Sequence, residues 1–220
     1  MIRVDVPGLL GDYANGPTAG PEATARALEK CADASAVVLV EGVSDQIAVE
    51  SAALRREHDL AARRVVVVPV GGAHATRRFL TRFGPDGAGL RVAGLYDVGE
   101  EAVLLRAFAA AGLGTPTAPA DLERLGFHAC VVDLEDELIR AVGVPRVEAL
   151  VAEHGELGSF RTMQRQEAWR GRPVEAQLRR FIAGRARRKL CYARLLVETV
   201  HLDRMPRPLD AVLTHALGAA

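Results

Sequence analysis

Carboxylates recur at one kind of place in this sequence, directly after a run of apolar residues. In VVLVEGVSD, Glu41 follows Ala36 to Val40 and Asp45 comes one helical turn later. Asp97 follows Leu90 to Tyr96, with Glu100 close behind, and the group Asp133 to Glu137, which contains Glu135, follows Phe127 to Val132. If those runs are strands of one open parallel sheet, the residues past their carboxyl ends project into a shared crevice. Carboxylates gathered there repel one another and raise each other's pKa unless a cation compensates. Hard divalent ions such as Mg²⁺ or Mn²⁺ take carboxylate oxygens and keep waters for a phosphate ligand, so these residues point to metal-assisted chemistry on a phosphate. Simpler uses compete: Ser44 or Asp45 can cap a helix, Asp133 can cap another, and Glu100 and Glu101 suit a first helical turn. Glu41 and Asp97 are needed for neither.

The elements that must position these acids are legible from hydrophobic pattern. Apolar runs at Ala36 to Val40, Val65 to Val70, Leu90 to Tyr96 and Phe127 to Val132 are expected strands. The first three are each followed by helical spacing, at Gln46 to His58, Ala73 to Phe83 and Glu100 to Ala111. Strands alternating with such helices indicate βαβ units and an α/β fold, a Rossmann-like parallel sheet flanked by helices. This unit spans residues 34–155. Before it, 1–33 form a lead-in, irregular over 7–20, and a helix from Pro21 to about Cys31 with Pro at the first helical position. After it, 156–220 form a C-terminal helical extension with no further β-type run. Between Arg161 and Arg207 thirteen Arg or Lys face four acids, a local positive bias in a chain of zero net charge.

In order, VVLVEGVSDQIAVE, VVVVPVGGAHATRRFL, VAGLYDVGEE and VVDLEDELI, together with the later GSFRTMQRQEAWRG and GRARRKLCYARLLVE, resemble the Toprim domain of the OLD (overcoming lysogenisation defect) family nucleases and the region after it. The resemblance covers roughly residues 35 to 200. It implies a Toprim-type fold and cleavage of DNA by one or two Mg²⁺ or Mn²⁺ ions. By resemblance Glu41 is the first-motif glutamate, Asp45 the following acid, Asp97 the first aspartate of a DxD motif and Glu135 the later glutamate. Gly99 stands where the second DxD aspartate belongs, which removes one expected ligand and leaves three alternatives: a weaker second metal site, one that recruits Glu100 instead, or none. The lysine after Toprim matches Lys189, whose ammonium would neutralise charge developing on the phosphate; Glu41, Asp97 and Lys189 are thus the expected catalytic set. A solvated surface lysine is the plain alternative.

Other residues extend the expectation. Gly71-Gly72, at the end of strand two, would leave backbone N–H groups free for a phosphate, although most such pairs are only tight turns. His74 is an ordinary first-turn residue or a substrate contact. Arg161, Arg165, Arg172, Arg179, Arg180 and Arg188, with Arg170, are candidates for sequence-independent contact with a DNA backbone; solvated helix faces explain such clusters equally well. Few aromatics accompany them, which favours duplex backbone over base stacking.

Bulk properties limit the remaining choices. The three cysteines, Cys31, Cys130 and Cys191, form no CxxC pair, which argues against zinc or disulfides and suits a reducing cytoplasm. No apolar stretch is long enough for a membrane span, so a cytoplasmic protein without membrane contact is expected. Only Lys30 and Lys189 among 28 basic residues are lysines, in keeping with a GC-rich bacterial genome. No GxxxxGK[ST] loop is present, so either the chain works alone or a separate subunit supplies the ATPase function usual beside Toprim in OLD nucleases. A homodimer is compatible with these features. The expected function is a divalent-metal-dependent DNA endonuclease or nickase. Two rivals use the same residues: a non-catalytic Toprim module binding nucleic acid or a partner protein, and phosphoryl transfer on RNA or a nucleotide.

Overall fold

The computed structural model describes residues 12, 13 and 16–218. Half of the expected irregular lead-in, 7–11 with 14 and 15, lies outside them. Helix α1 (Ala19–Lys30) opens the described chain, starting two residues before Pro21. Then follow β1 (Ala36–Val40), α2 (Val43–Arg55), β2 (Val65–Pro69), α3 (Thr76–Phe83), β3 (Arg91–Asp97), α4 (Glu101–Ala110), α5 (Pro119–Arg124) and β4 (Phe127–Cys130). The remainder is helical: α6 (Leu134–Val142), α7 (Val144–Glu153), α8 (Leu157–Gln164), α9 (Val174–Ala183), α10 (Ala186–Thr199) and α11 (Arg207–Leu217).

The four strands form one parallel sheet in the order β2-β1-β3-β4. Every residue of β1 is buried, as a strand covered on both faces requires. Its side chains alternate between two apolar layers: Ala36, Val38 and Val40 join one, Val37 and Leu39 the other. The second layer packs α3, α4 and α5 through Phe79, Phe83, Phe108 and Leu122. Phe127 meets Phe108 edge-on at 4.9 Å, and Gly94 of β3 makes room for it, since a Cβ there would lie 2.5 Å from the Phe127 ring.

The first layer takes in α2, α6, α7 and all four helices after residue 156. The basic extension therefore shares the core of the sheet. Arg55 at the end of α2 donates to the carbonyls of Val197 (2.6 Å) and Val200. Arg56 pairs with Asp210 of α11 at 2.6 Å, and Arg91 of β3 donates to the Ala216 carbonyl at 3.1 Å.

Three boundaries differ from expectation for local reasons. Helix α2 begins at Val43 rather than Gln46, because the Gly42 N–H donates to the Asp45 carboxylate (2.9 Å) and closes the first turn. A single 3₁₀ turn, Ala73–Ala75, precedes α3. Strand β4 ends at Cys130 because the Val131 N–H donates to Glu137 Oε1 (3.0 Å) instead of a neighbouring strand.

Candidate functional site

In this strand order the chain reverses its direction of winding between β1 and β3, and the crevice outside the carboxyl ends of those two strands is the place where open α/β sheets bind ligands. Glu41 lies immediately past β1 and Asp97 is the last residue of β3. A 3₁₀ turn, Val98–Glu100, brings Glu100 back toward them. One carboxylate oxygen from each of Glu41, Asp97 and Glu100 falls within 4.8 Å of the other two. Among the described residues none forms an ion pair with these three acids. Burial, and then repulsion from Glu41, Asp133, Glu100 and Glu135, push Asp97 up to about 7. Glu100 is raised by burial and Glu41, with His74 offsetting part of the rise.

The other wall of the crevice carries its own cation. Lys189 of α10 places Nζ 3.3 Å from Glu135 Oε1 in the first turn of α6. Glu135 is buried and its carboxyl is raised, burial being the largest cause, with Lys189 acting against it. Burial pulls the Lys189 ammonium down, but Glu135, Asp45 and Glu41 outweigh it and the net direction is upward. Asp45 is pushed up to about 7 by burial and Glu135, against the opposing pull of Lys189 and the Gly42 N–H. A cavity of about 80 Å³ joins both walls, lined by Glu41, Asp45, Asp97, Glu100, Glu135 and Lys189. The structure thus brings together all five expected acids and the lysine, with Glu100 beside Asp97 where Gly99 offers no side chain.

Other expectations are corrected. The N–H groups of Gly71 and Gly72 are not free for a phosphate: both point at the Glu41 carbonyl (3.0 and 3.4 Å). They tie the end of β2 to the residue that carries the first acid, in a turn whose φ values of +82° and +104° favour glycine. Arg188 is no DNA contact. It is buried against the Phe181 ring, donates to the Phe181 carbonyl at 2.8 Å and pairs with Glu156 at 2.6 Å. Arg161 is tied to Glu148 at 2.8 Å. Arg179 donates to Asp133, which also caps α6 by accepting from the Asp136 N–H at 2.8 Å. Arg165 is exposed and reaches Thr162 at 3.2 Å. Arg172 and Arg180 are exposed and both lie over Trp169, 5.4 and 6.0 Å from its ring centre. His74 is exposed beside Glu100. Sequence reasoning did not anticipate Cys130, whose thiol burial pushes up and which lines the same cavity. Nor did it anticipate the Arg179–Asp133 pair that joins α9 to the crevice rim, for no local pattern connects residues so far apart.

Residues 34–98 match the family model for the TOPRIM domain of overcoming lysogenization defect protein-like sequences. No curated protein matches the chain by sequence. Among solved structures, the C-terminal region of the Xanthomonas campestris pv. campestris OLD protein aligns with a TM-score of 0.69 at 22% identity, covering 86% of this chain and 95% of that one. The C-terminal region of the Burkholderia pseudomallei OLD protein gives 0.65 at 17% identity, covering 85% and 98%. The chain therefore carries an OLD-like Toprim fold that extends well beyond the matched segment into the helical tail.

Proposed function

We propose that this chain is a divalent-metal-dependent nuclease that hydrolyses phosphodiester bonds in DNA. The observation that carries the reading is the convergence of Glu41, Asp97 and Glu100 within 4.8 Å, with no ion pair to them among the described residues and an ammonium on the facing wall. The donor set fits the ion: three carboxylate oxygens in a recess suit Mg²⁺ or Mn²⁺ and leave room for water and phosphate oxygens. Glu41, Asp97 and Glu100 would hold it, with Asp45 and Glu135 behind. When bound, such an ion supplies Lewis-acid polarisation of the phosphodiester and lowers the pKa of water.

The chain's own residues do the rest. Lys189 presents a compact donor to a non-bridging phosphate oxygen, where charge grows in the transition state, while Glu135 holds the ammonium in place. Asp45, fixed by the Gly42 N–H, is positioned to orient a water at the cavity wall. Arg172 and Arg180, exposed on the tail, hold the backbone without reading sequence.

A plasmid-nicking assay in Mg²⁺ or Mn²⁺ tests this. Glu41→Ala is expected to lose about a hundredfold or more of the rate, on the scale of removing one transition-state-stabilising group. Equal rates for Glu41→Ala and wild type would overturn it. Gly99 favours one rival, a non-catalytic module; failure of Mn²⁺ to bind in a Glu41-dependent way would select that rival.

A further inference from the structure

The crevice has an apolar lip for which metal chemistry has no use. Among the described residues five large hydrophobic side chains are exposed, and three of them stand here: Val98 (44%), Val131 (65%) and Val132 (43%). Asp97 pairs with Cys130 across β3 and β4, so Val98 and Val131 each follow the last paired residue of two neighbouring strands, Val98 opening a 3₁₀ turn. Scattered exposed apolar residues need no explanation, but three at one rim do.

The lip is also held rigid. The Val131 N–H donates to Glu137 Oε1 at 3.0 Å, and Arg140 holds Glu137 at 2.8 Å. The Glu137 N–H donates to the Asp133 carbonyl at 3.2 Å, and the Asp136 N–H donates to the Asp133 carboxylate at 2.8 Å. Valine adds its own stiffness at χ1. Two exposed valines are therefore fixed between a strand end and a helix cap, and the Asp133 that follows them is paired with Arg179.

We infer that Val98, Val131 and Val132 form a wedge that enters the base stack beside the phosphate held in the crevice, so that the substrate is duplex DNA opened at one base step. This rests on the nuclease reading above. Inserting rigid apolar side chains between base steps while cations grip the backbone on either side is an established way of opening or kinking a duplex. The size and setting of the lip favour a base step over a protein partner. Three valines bordered by acids, Lys189 and Arg179 offer far less than the roughly 800 Å² per partner of a stable protein interface.

The test compares a matched duplex with the same duplex carrying one mispair, whose unstacking cost is already met. Binding is followed by fluorescence anisotropy, with Ca²⁺ replacing the active ion. Wild type is expected to prefer the mispaired duplex by about tenfold. In the double variant Val131→Ser, Val132→Ser that preference should fall to nearly one, with matched-duplex affinity within about twofold because the phosphate contacts remain. Val98→Ser, changed alone, should give an intermediate preference. All three positions are exposed, and a circular dichroism melt verifies the fold. No preference in wild type, or an undiminished one in the double variant, would overturn the wedge and leave the nuclease reading intact. Loss of a self-association seen by sedimentation, with the preference unchanged, would also overturn it and assign the lip to a second copy. Absence of binding to any duplex would overturn both.

Discussion

Removing the ammonium from the crevice should destabilise the fold in a pH-dependent way. In Lys189→Met the side chain keeps its length and loses its charge, leaving Glu135 without the partner 3.3 Å away. Glu135's side chain is 5% exposed and that of Lys189 is 35% exposed. Breaking a fully buried pair costs about 3–5 kcal/mol, and an exposed pair is worth about 0–1 kcal/mol. A buried carboxylate facing an ammonium that solvent partly screens falls between, at about 2 kcal/mol. For a chain of this size that corresponds to a melting temperature lower by about 4–8 °C. The sign with pH follows from Glu135, whose carboxyl is already raised by burial and rises further without Lys189. A carboxyl raised in the folded state adds no cost below its unfolded pKa, where both states are protonated, and its full cost above the folded value. The deficit should therefore be small at acid pH, where both states are protonated, and should grow as pH rises through the raised folded-state value. Melts in chelator, so that no ion substitutes for the ammonium, measure it, and Glu135→Gln added to Lys189→Met should recover most of the loss. A variant that melts with wild type at the alkaline end, or a double variant as unstable as the single, would refute the coupling.

Asp97 and Asp45, both pushed up to about 7, hold protons that the unfolded chain releases at lower pH, so without added metal, stability should fall as pH rises from about 4 to about 7. Mn²⁺ should reverse that slope, its stabilisation growing with pH; melts with and without the ion across this range check it, and a flat metal-free profile would count against the reading. Gly94→Ala would set a Cβ 2.5 Å from Phe127 and 2.9 Å from the Leu39 carbonyl, and should cost about 2 kcal/mol or more in urea unfolding through overpacking. Arg188→Ala should unfold at markedly lower urea, by about 3 kcal/mol for the bared Glu156 and lost packing. Arg180→Ala should leave stability unchanged and instead lower the salt dependence of DNA binding by about one counterion; the reverse pattern would exchange their roles.

The strands were legible because a strand buried on both faces is a continuous apolar run, and β1 to β4 appear within two residues of the expected places. The acids were legible because they stop those runs. Lys189 stood out through rarity, being one of two lysines. Its partner was not readable: Glu135 meets it only because α10 packs in the layer that also holds α6. The arginines were harder still. Charge and helical spacing are the same for Arg180, which is exposed, and Arg188, which is buried; what separates them is an acid 32 residues away, Glu156, and an aromatic face, Phe181. Glycine doublets are similarly ambiguous, because the sequence records the turn and not where its N–H groups point. At Gly71 and Gly72 they point inward, at Glu41.

How the fold tolerates so many acids in one crevice depends on helix ends as well as on any ion. Asp45 lies in the first turn of α2, Glu135 in the first turn of α6, and Lys189 near the start of α10, and all three residues line the same cavity. Helices α2 and α10 run side by side in the same direction, since Asp45 and Lys189 meet at one end and Arg55 reaches the Val197 and Val200 carbonyls at the other. The partial positive charge of each N-terminus therefore faces the carboxylates, a contribution of about 0.3–1 kcal/mol per helix in exposed settings and more where solvent is excluded. At the far end the Arg55 guanidinium satisfies carbonyls that the end of α10 leaves without helical partners. The acids at Glu41, Asp45 and Asp97 belong to the segment that matches the Toprim model, whereas Lys189 and α10 lie outside it. The tail is thus what makes the acid cluster affordable: it contributes two formal charges, Lys189 beside Glu135 and Arg179 beside Asp133, one helix terminus and the packing that aims them, and leaves the Glu41, Asp97 and Glu100 wall for an ion to neutralise.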